Sequence, residues 1–321
     1  MKSTRWVRIG RAWLLAWLVL MFGAAPVFAQ VDLAGQWASR NHEDTEDKGT
    51  GPPLVQYWGV PLNDAARNRA LTYLPDILSI PERQCLDYGP QYRLFGPTGM
   101  VIWADYDPIT GVPVAWNMSA FLDLPQMKIW MDGRPHPGPT ALHTAGGFMT
   151  GKWVGDTLVV EVSHVKEAYM KRNGVPASDR LTMTFYLTRH GDMLSMMGII
   201  RDPVYLTEPY ALSRIFKAMP TYTGIHTTTT PCVPADELPY LANHVIPQYL
   251  PGQNPNVNGM LKRYNVPIAA ALGGAQTMYP EYQKTLLKDG YAPPKAYCGD
   301  NCCGWGGPPA DSAGLLMCKI D

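Results

Sequence analysis

Between about residue 92 and residue 217, apolar and polar positions alternate in short runs separated by turn signals, the period of half-buried strands. Met100 to Trp103, Val112 to Met118 and Gln126 to Met131 are the first three runs, with Asp107-Pro108 and Thr110-Gly111 turning the chain between the first two. Gly151 to Val154 and Thr157 to Ser163 flank Gly155-Asp156, a hairpin turn that demands positive φ. Leu181 to Arg189 puts Leu181, Met183, Phe185 and Leu187 on one face, and His190-Gly191-Asp192 leads into Met193 to Ile200. Tyr210 to Lys217 is the last run. Neighbouring runs joined by tight turns predict an antiparallel meander, and a meander hides its edges by closing into a barrel.

Outside this region the period changes. Asn63 can cap a short helix over Asp64 to Tyr73, where Ala65, Ala66 and Ala70 favour helix and Pro75 ends it. Residues 38 to 60 read as a loop. Beyond Cys232 the pattern dissolves into Pro, Asn and Gly, except for a short helix expected over Pro280 to Leu287 with Gly290 past its end. Residues 233–321 therefore read as an irregular, partly helical extension that wraps the barrel or covers its mouth, or as a loosely ordered tail.

The first 29 residues change the picture. Arg5, Arg8 and Arg11 precede an apolar run from Ala12 to Phe22, and Val27-Phe28-Ala29 offers small residues for cleavage. This is the pattern of an export signal, so a periplasmic or secreted location is expected, with the mature chain beginning at Gln30. The run is too short to span a bilayer comfortably, and no transmembrane segment is expected in the mature chain. Removing Lys2, Arg5, Arg8 and Arg11 from the 27 basic residues leaves 23 against 27 acidic ones, a net charge of about −4. Such a chain attracts neither nucleic acid nor an anionic membrane. Thirty Gly and thirty Pro disfavour long helices and agree with many short strands.

Export also sets the meaning of the six cysteines, Cys85, Cys232, Cys298, Cys302, Cys303 and Cys318. Cys85 precedes the strands and Cys232 follows them. A bridge between them would tie the sheet's two ends and constrain the unfolded chain by about 4 kcal/mol in the chain-entropy model. The four tail cysteines suit two local disulfides, with Cys302 and Cys303 partnered by Cys298 and Cys318 in some order. A soft-metal thiolate site is the alternative, but paired C-x-x-C knuckles are absent.

Candidate chemistry concentrates in Asp132-Gly133-Arg134-Pro135-His136. Asp132 could orient His136 for acid–base work, and Arg134 could hold a carboxylate or a developing oxyanion. A packed Asp-Gly turn explains the same residues structurally. His143 and His164 could join His136 at a ligand, although no H-x-H or H-x-x-x-H spacing marks a metal site and none is expected. Trp103, Trp116 and Trp130 fall on three early strands; if their rings share a face they line a barrel and stack on an aromatic ligand, and otherwise they are core. Tyr169, Met170, Met193, Met196 and Met197 could add adaptable walls. No G-x-G-x-x-G, P-loop, G-x-S-x-G or H-E-x-x-H is present, which disfavours nucleotide enzymes, serine hydrolases of the α/β type and zincins; no cofactor is expected.

Several segments together carry a resemblance. They are Asp32-Leu33-Ala34-Gly35-Gln36-Trp37, Met131-Asp132-Gly133-Arg134-Pro135-His136-Pro137, Gly151 through Val160, Asp202-Pro203-Val204-Tyr205, Glu208-Pro209-Tyr210, and the flanking Cys85 and Cys232. Over residues 30 to 235 the chain resembles a large family of exported bacterial proteins, without established activity, that carry a lipocalin-like (calycin-type) β-barrel. The resemblance implies a lipocalin-like barrel over residues 30–232; with the alternating runs and the Asn63-capped helix, the expected fold is all-β, an antiparallel up-and-down barrel with one short N-terminal helix, and the extension 233–321 has no counterpart in the family. It also implies that Trp37 packs across a closed end beneath an Arg of the last strand, for which Arg214 is the candidate. The other end would then open to a cavity for a small, largely apolar or aromatic molecule. The chain departs from the family at Val162-Ser163-His164-Val165, where relatives carry a G-F-N turn. It departs again at Ala177 through Thr182, where two family histidines are missing; an activity using those histidines is not implied here. The expected function is binding of that molecule. The alternatives are a cofactor-free hydratase, lyase or isomerase using Asp132 and His136, and an envelope interaction module.

Overall fold

The computed structural model describes residues 31–40, 54, 57, 59–73, 89–95, 99–120, 127–171, 173–219, 249–258, 266–288 and 291. The chain divides into two compact units, Met1–Asp32 and Leu33–Asp321, and the described fold lies in the second. The export signal and all six cysteines fall outside the described residues.

Nine strands form a closed barrel: β1 (Gly35–Ser39), β2 (Met100–Tyr106), β3 (Pro113–Ala120), β4 (Met127–Trp130), β5 (Phe148–Val154), β6 (Thr157–Ser163), β9 (Thr182–His190), β10 (Met193–Arg201) and β11 (Tyr210–Ala218). Two short strands, β7 (Ala168–Tyr169) and β8 (Pro176–Ala177), make a separate ladder in the β6–β9 connection. Around the ring each strand neighbours the next in sequence, and β1 closes on β11 antiparallel.

The expected all-antiparallel barrel is corrected by one pair: β4 and β5 run parallel. The reason is parity. A closed ring of nine strands cannot alternate in direction all the way round, so one pair at least must be parallel. Here it falls at β4/β5, whose register joins only Ile129 to Met149 and Trp130 to Thr150. Parallel neighbours cannot be joined by a hairpin. Residues 131–147 therefore carry the chain from the end of β4 back along the barrel to the start of β5.

The hairpins follow their turn chemistry. In the β2–β3 turn, Asp107 Oδ1 accepts the Thr110 N–H at 2.7 Å and the Ile109 N–H at 2.9 Å. Those bonds, first that from Thr110, hold its carboxyl below the usual range. Gly155 and Gly191 turn β5–β6 and β9–β10 at φ of 58° and 61°. All three turns lie at one end of the barrel, the hairpin end.

Strand alternation decides what faces inward. Met100, Ile102, Trp116, Met118, Met127, Ile129, Met149, Leu158, Val160, Val162, Met183, Phe185, Leu187, Leu194, Met196 and Ile200 share the inner face by register and are buried. Both ends are stoppered from within. Near the hairpin end Trp37 is 1% exposed, its Nε1–H donates to the Leu33 carbonyl, and the Arg189 guanidinium lies 5.2 Å from its ring. At the far end the 3₁₀ turn Pro90–Leu94 is buried throughout. Leu94 lies against inward-facing Gly198, where a Cβ would come within 2.3 Å of Leu94 Cδ1. Arg214, 1% exposed, donates to the Arg93 carbonyl and to Ser39 Oγ, and its guanidinium lies over Phe216.

Helix α1 (Asp64–Leu71) is close to the helix expected from sequence: Asn63 Oδ1 accepts the Ala66 N–H at 2.9 Å, the bond that capping requires. Its anchor to the barrel was not foreseen. Asn63 donates through Nδ2 to the Val204 carbonyl, and its own N–H goes to the Tyr205 carbonyl. The described parts of the C-terminal extension include α2 (Ile268–Leu272) and α3 (Pro280–Lys288), the second where a helix was expected. They pack on the α1 segment: Asn254 Nδ2 donates to the Leu71 and Tyr73 carbonyls, and Ala271 clusters with Leu54 and Tyr73. Among the described residues no helix is long and apolar enough to cross a membrane.

Candidate functional site

The crossover 131–147 is built by its own composition. Met131 still donates to the Val114 carbonyl, then Gly133 turns the chain at φ +73°. Pro135, Pro137 and Pro139 keep it extended without competing for ladder bonds. It rejoins the barrel at Thr144, whose N–H donates to the His164 carbonyl while its own carbonyl accepts from Lys166. Gly147 is needed there, because a Cβ would lie 2.9 Å from the Ser163 carbonyl oxygen.

This path lays the crossover on the outer face of β5 and β6, where Thr150 and Ser163 point away from the buried Met149 and Val162. His136 bridges the two strands: its Nδ1 lies 2.6 Å from Ser163 Oγ and its Nε2 lies 2.9 Å from Thr150 Oγ1. Ser163 Oγ is also 2.7 Å from His164 Nδ1, and His164 Nε2 is 3.0 Å from the Gly138 carbonyl. The rings of His143 and His164 lie 5.2 Å apart, with His143 Nδ1 donating to the Val165 carbonyl. The three histidines thus converge, although among the described residues no group of three metal-ligating side chains has metal-binding geometry.

One bond fixes the direction of the others. A carbonyl only accepts, so His164 Nε2 carries the proton and, in the neutral ring, Nδ1 is bare. Ser163 then donates its O–H to His164 Nδ1. Ser163 Oγ accepts from His136 Nδ1–H, and bare His136 Nε2 accepts from Thr150. Burial holds the His136 imidazole below its ordinary 6.5; Glu161 nearby opposes this and His164 adds to it. His164 is also the one non-glycine among the described residues with positive φ, at 56°, a conformation that costs free energy and is held by its surroundings.

Asp132 faces Arg134 rather than His136. The Arg134 Nε–H lies 2.9 Å from both carboxylate oxygens, and the hydrogen bonds hold the Asp132 carboxyl below its usual range. The paired guanidinium stacks 3.6 Å over Trp130. The orientation of His136 belongs instead to Ser163 and Thr150, which sequence reasoning passed over. The hint was there: Ser163 ends an alternating strand on its polar face and a histidine follows.

The three tryptophans do not share a face. Trp103 and Trp130 lie outside, in register with Asn117 and Ala115, while Trp116 lies inside between Ala104 and Ile129. Trp116 is 2% exposed and its Nε1–H has no acceptor. Trp153, also on the inner face, has a buried Nε1–H in the same condition. Met196 faces inward and Met170 is buried, whereas Met193 and Met197 face out. Tyr169 pairs with Pro176 outside the barrel.

The fold and its interior define a closed β-barrel of mixed strand direction with an apolar, methionine-rich core. Comparison with protein-family models, with curated proteins and with solved structures found no match to the chain in any of the three.

Proposed function

We propose that this protein is an exported, lipocalin-like carrier that holds a small, largely apolar molecule bearing one hydrogen-bond acceptor inside the barrel. The observation that carries the reading is the Trp116 indole: it lies on the inner face, and its N–H is buried and lacks an acceptor. A buried donor without a partner costs about 1–3 kcal/mol, and a guest oxygen or nitrogen would remove that cost. The surroundings agree. Met100, Met118, Met127, Met149, Met183 and Met196 are inward and buried, and unbranched thioether chains can repack around a guest. The basic and apolar pattern of residues 1–29 supports the export part of this reading, and the segments that carry the resemblance support its lipocalin-like part.

The test compares two guests of similar shape, 2-acetylnaphthalene and 2-ethylnaphthalene, by quenching of tryptophan fluorescence. The ketone is expected to bind about tenfold more tightly, the ratio that one satisfied hydrogen bond supplies. Trp116→Phe should bring the two affinities together. Absence of saturable quenching by either guest overturns the reading.

A further inference from the structure

The Ser163 cluster on the outer wall has a different chemistry from the barrel interior. We propose that Ser163 is an acyl-accepting nucleophile, and that the surface formed by Ser163, His164 and His136 hydrolyses small, uncharged carboxylic esters. Three roles are geometrically filled. The nucleophile lies 2.7 Å from His164 Nδ1, and the ring is oriented by the Gly138 carbonyl at Nε2, as the third group of a serine–histidine arrangement must do. A second N–H, that of His136 Nδ1, points at Ser163 Oγ from 2.6 Å and is itself fixed by Thr150. An oxygen developing on the carbon bonded to Oγ comes within its reach. Ser163 and His164 are half-buried, so substrate can approach. The Arg134 charge is already matched by Asp132, so Arg134 is not left open to an acidic ester.

The step balances with solvent water. Ser163 Oγ bonds to the ester carbonyl carbon as its proton passes to His164 Nδ1, and the carbonyl oxygen takes the His136 N–H hydrogen bond. The bond from carbon to the alcohol oxygen breaks, and that oxygen leaves with the proton from His164. Water then gives His164 a proton and adds to the acyl carbon; the bond from that carbon to Ser163 Oγ breaks, Oγ takes the proton back from His164, and the acid leaves.

The experiment uses the whole chain and p-nitrophenyl acetate, following p-nitrophenolate release and mapping the acetyl group by peptide mass. One acetyl on Ser163, formed in an initial burst, is the expected result. Ser163→Ala should abolish both the burst and the label. His164→Asn keeps a side chain that tolerates positive φ yet removes the base, and should slow acetylation roughly 100-fold or more. His136→Gln, which retains an N–H donor, should keep more activity than His136→Phe. Near-UV circular dichroism checks folding; if Ser163→Ala does not fold, the peptide map of the parent and the His164→Asn rate decide. A folded parent with acetyl only on histidine or lysine, or acetylation of His164→Asn at the parental rate, overturns the proposal. Naphthalene binding inside the barrel should be unchanged in Ser163→Ala, so failure here and failure of the carrier reading are told apart.

Discussion

His136 couples the outer wall to pH. Its imidazole is held below 6.5 in the fold mainly by burial, whereas in the unfolded chain it titrates near 6.5. Between the lowered folded value and 6.5 the unfolded chain binds more protons, so stability falls as pH falls through that window and is regained above it. Thermal melts across that range should show this acid-side loss, and it should shrink in His136→Gln. Asp132, Arg134 and His136 were legible as a polar cluster, but which of them meet was not. Asp-Gly-Arg closes on itself because a two-residue span suits a bidentate pair. His136, two residues further and past a proline, reaches strands whose partners depend on a long return path.

Among the elements, one close contact and one buried carboxylate hold the far end. Gly198 on β10 admits Leu94, so Gly198→Ala should destabilise by about 1–3 kcal/mol through overpacking, measurable by urea denaturation. Asp202, buried after β10, accepts from the Ser178 N–H and Oγ–H at 2.7 Å each, and from the Val204 and Tyr205 N–H groups at 2.9 and 3.2 Å. Asp202→Ala strands these donors and should cost about 3 kcal/mol by the same measurement. Both partners sat in segments singled out by resemblance, Asp202-Pro203-Val204-Tyr205 and Ala177 to Thr182. Their contact could not be read from either alone, because it spans 24 residues and two barrel strands. Hairpins were legible, since period-two runs joined by Gly-Asp turns carry their own geometry. The parallel pair was not: β1 is only five residues, GQWAS, and β4 only four, so the strand count that forces it is hidden.

For the whole molecule, closure of the sheet was legible from the number of adjacent alternating runs and the need to hide edges. The stoppers were not, because Pro90–Leu94 has no period and its burial is a tertiary outcome. Those stoppers leave the proposed guest to come through the side of the wall. The ladder there is uneven: β9 and β10 join over nine residue pairs, β4 and β5 over two. Hydrogen exchange tracks local opening, so the amides of Ile129, Trp130, Met149 and Thr150 should exchange well before those of β9 and β10. A ring of odd membership thus carries a built-in short seam, the two-pair ladder between β4 and β5 beside the proline-rich crossover. For the proposed guest, breathing at that seam rather than at either rim would then set how quickly it enters and leaves.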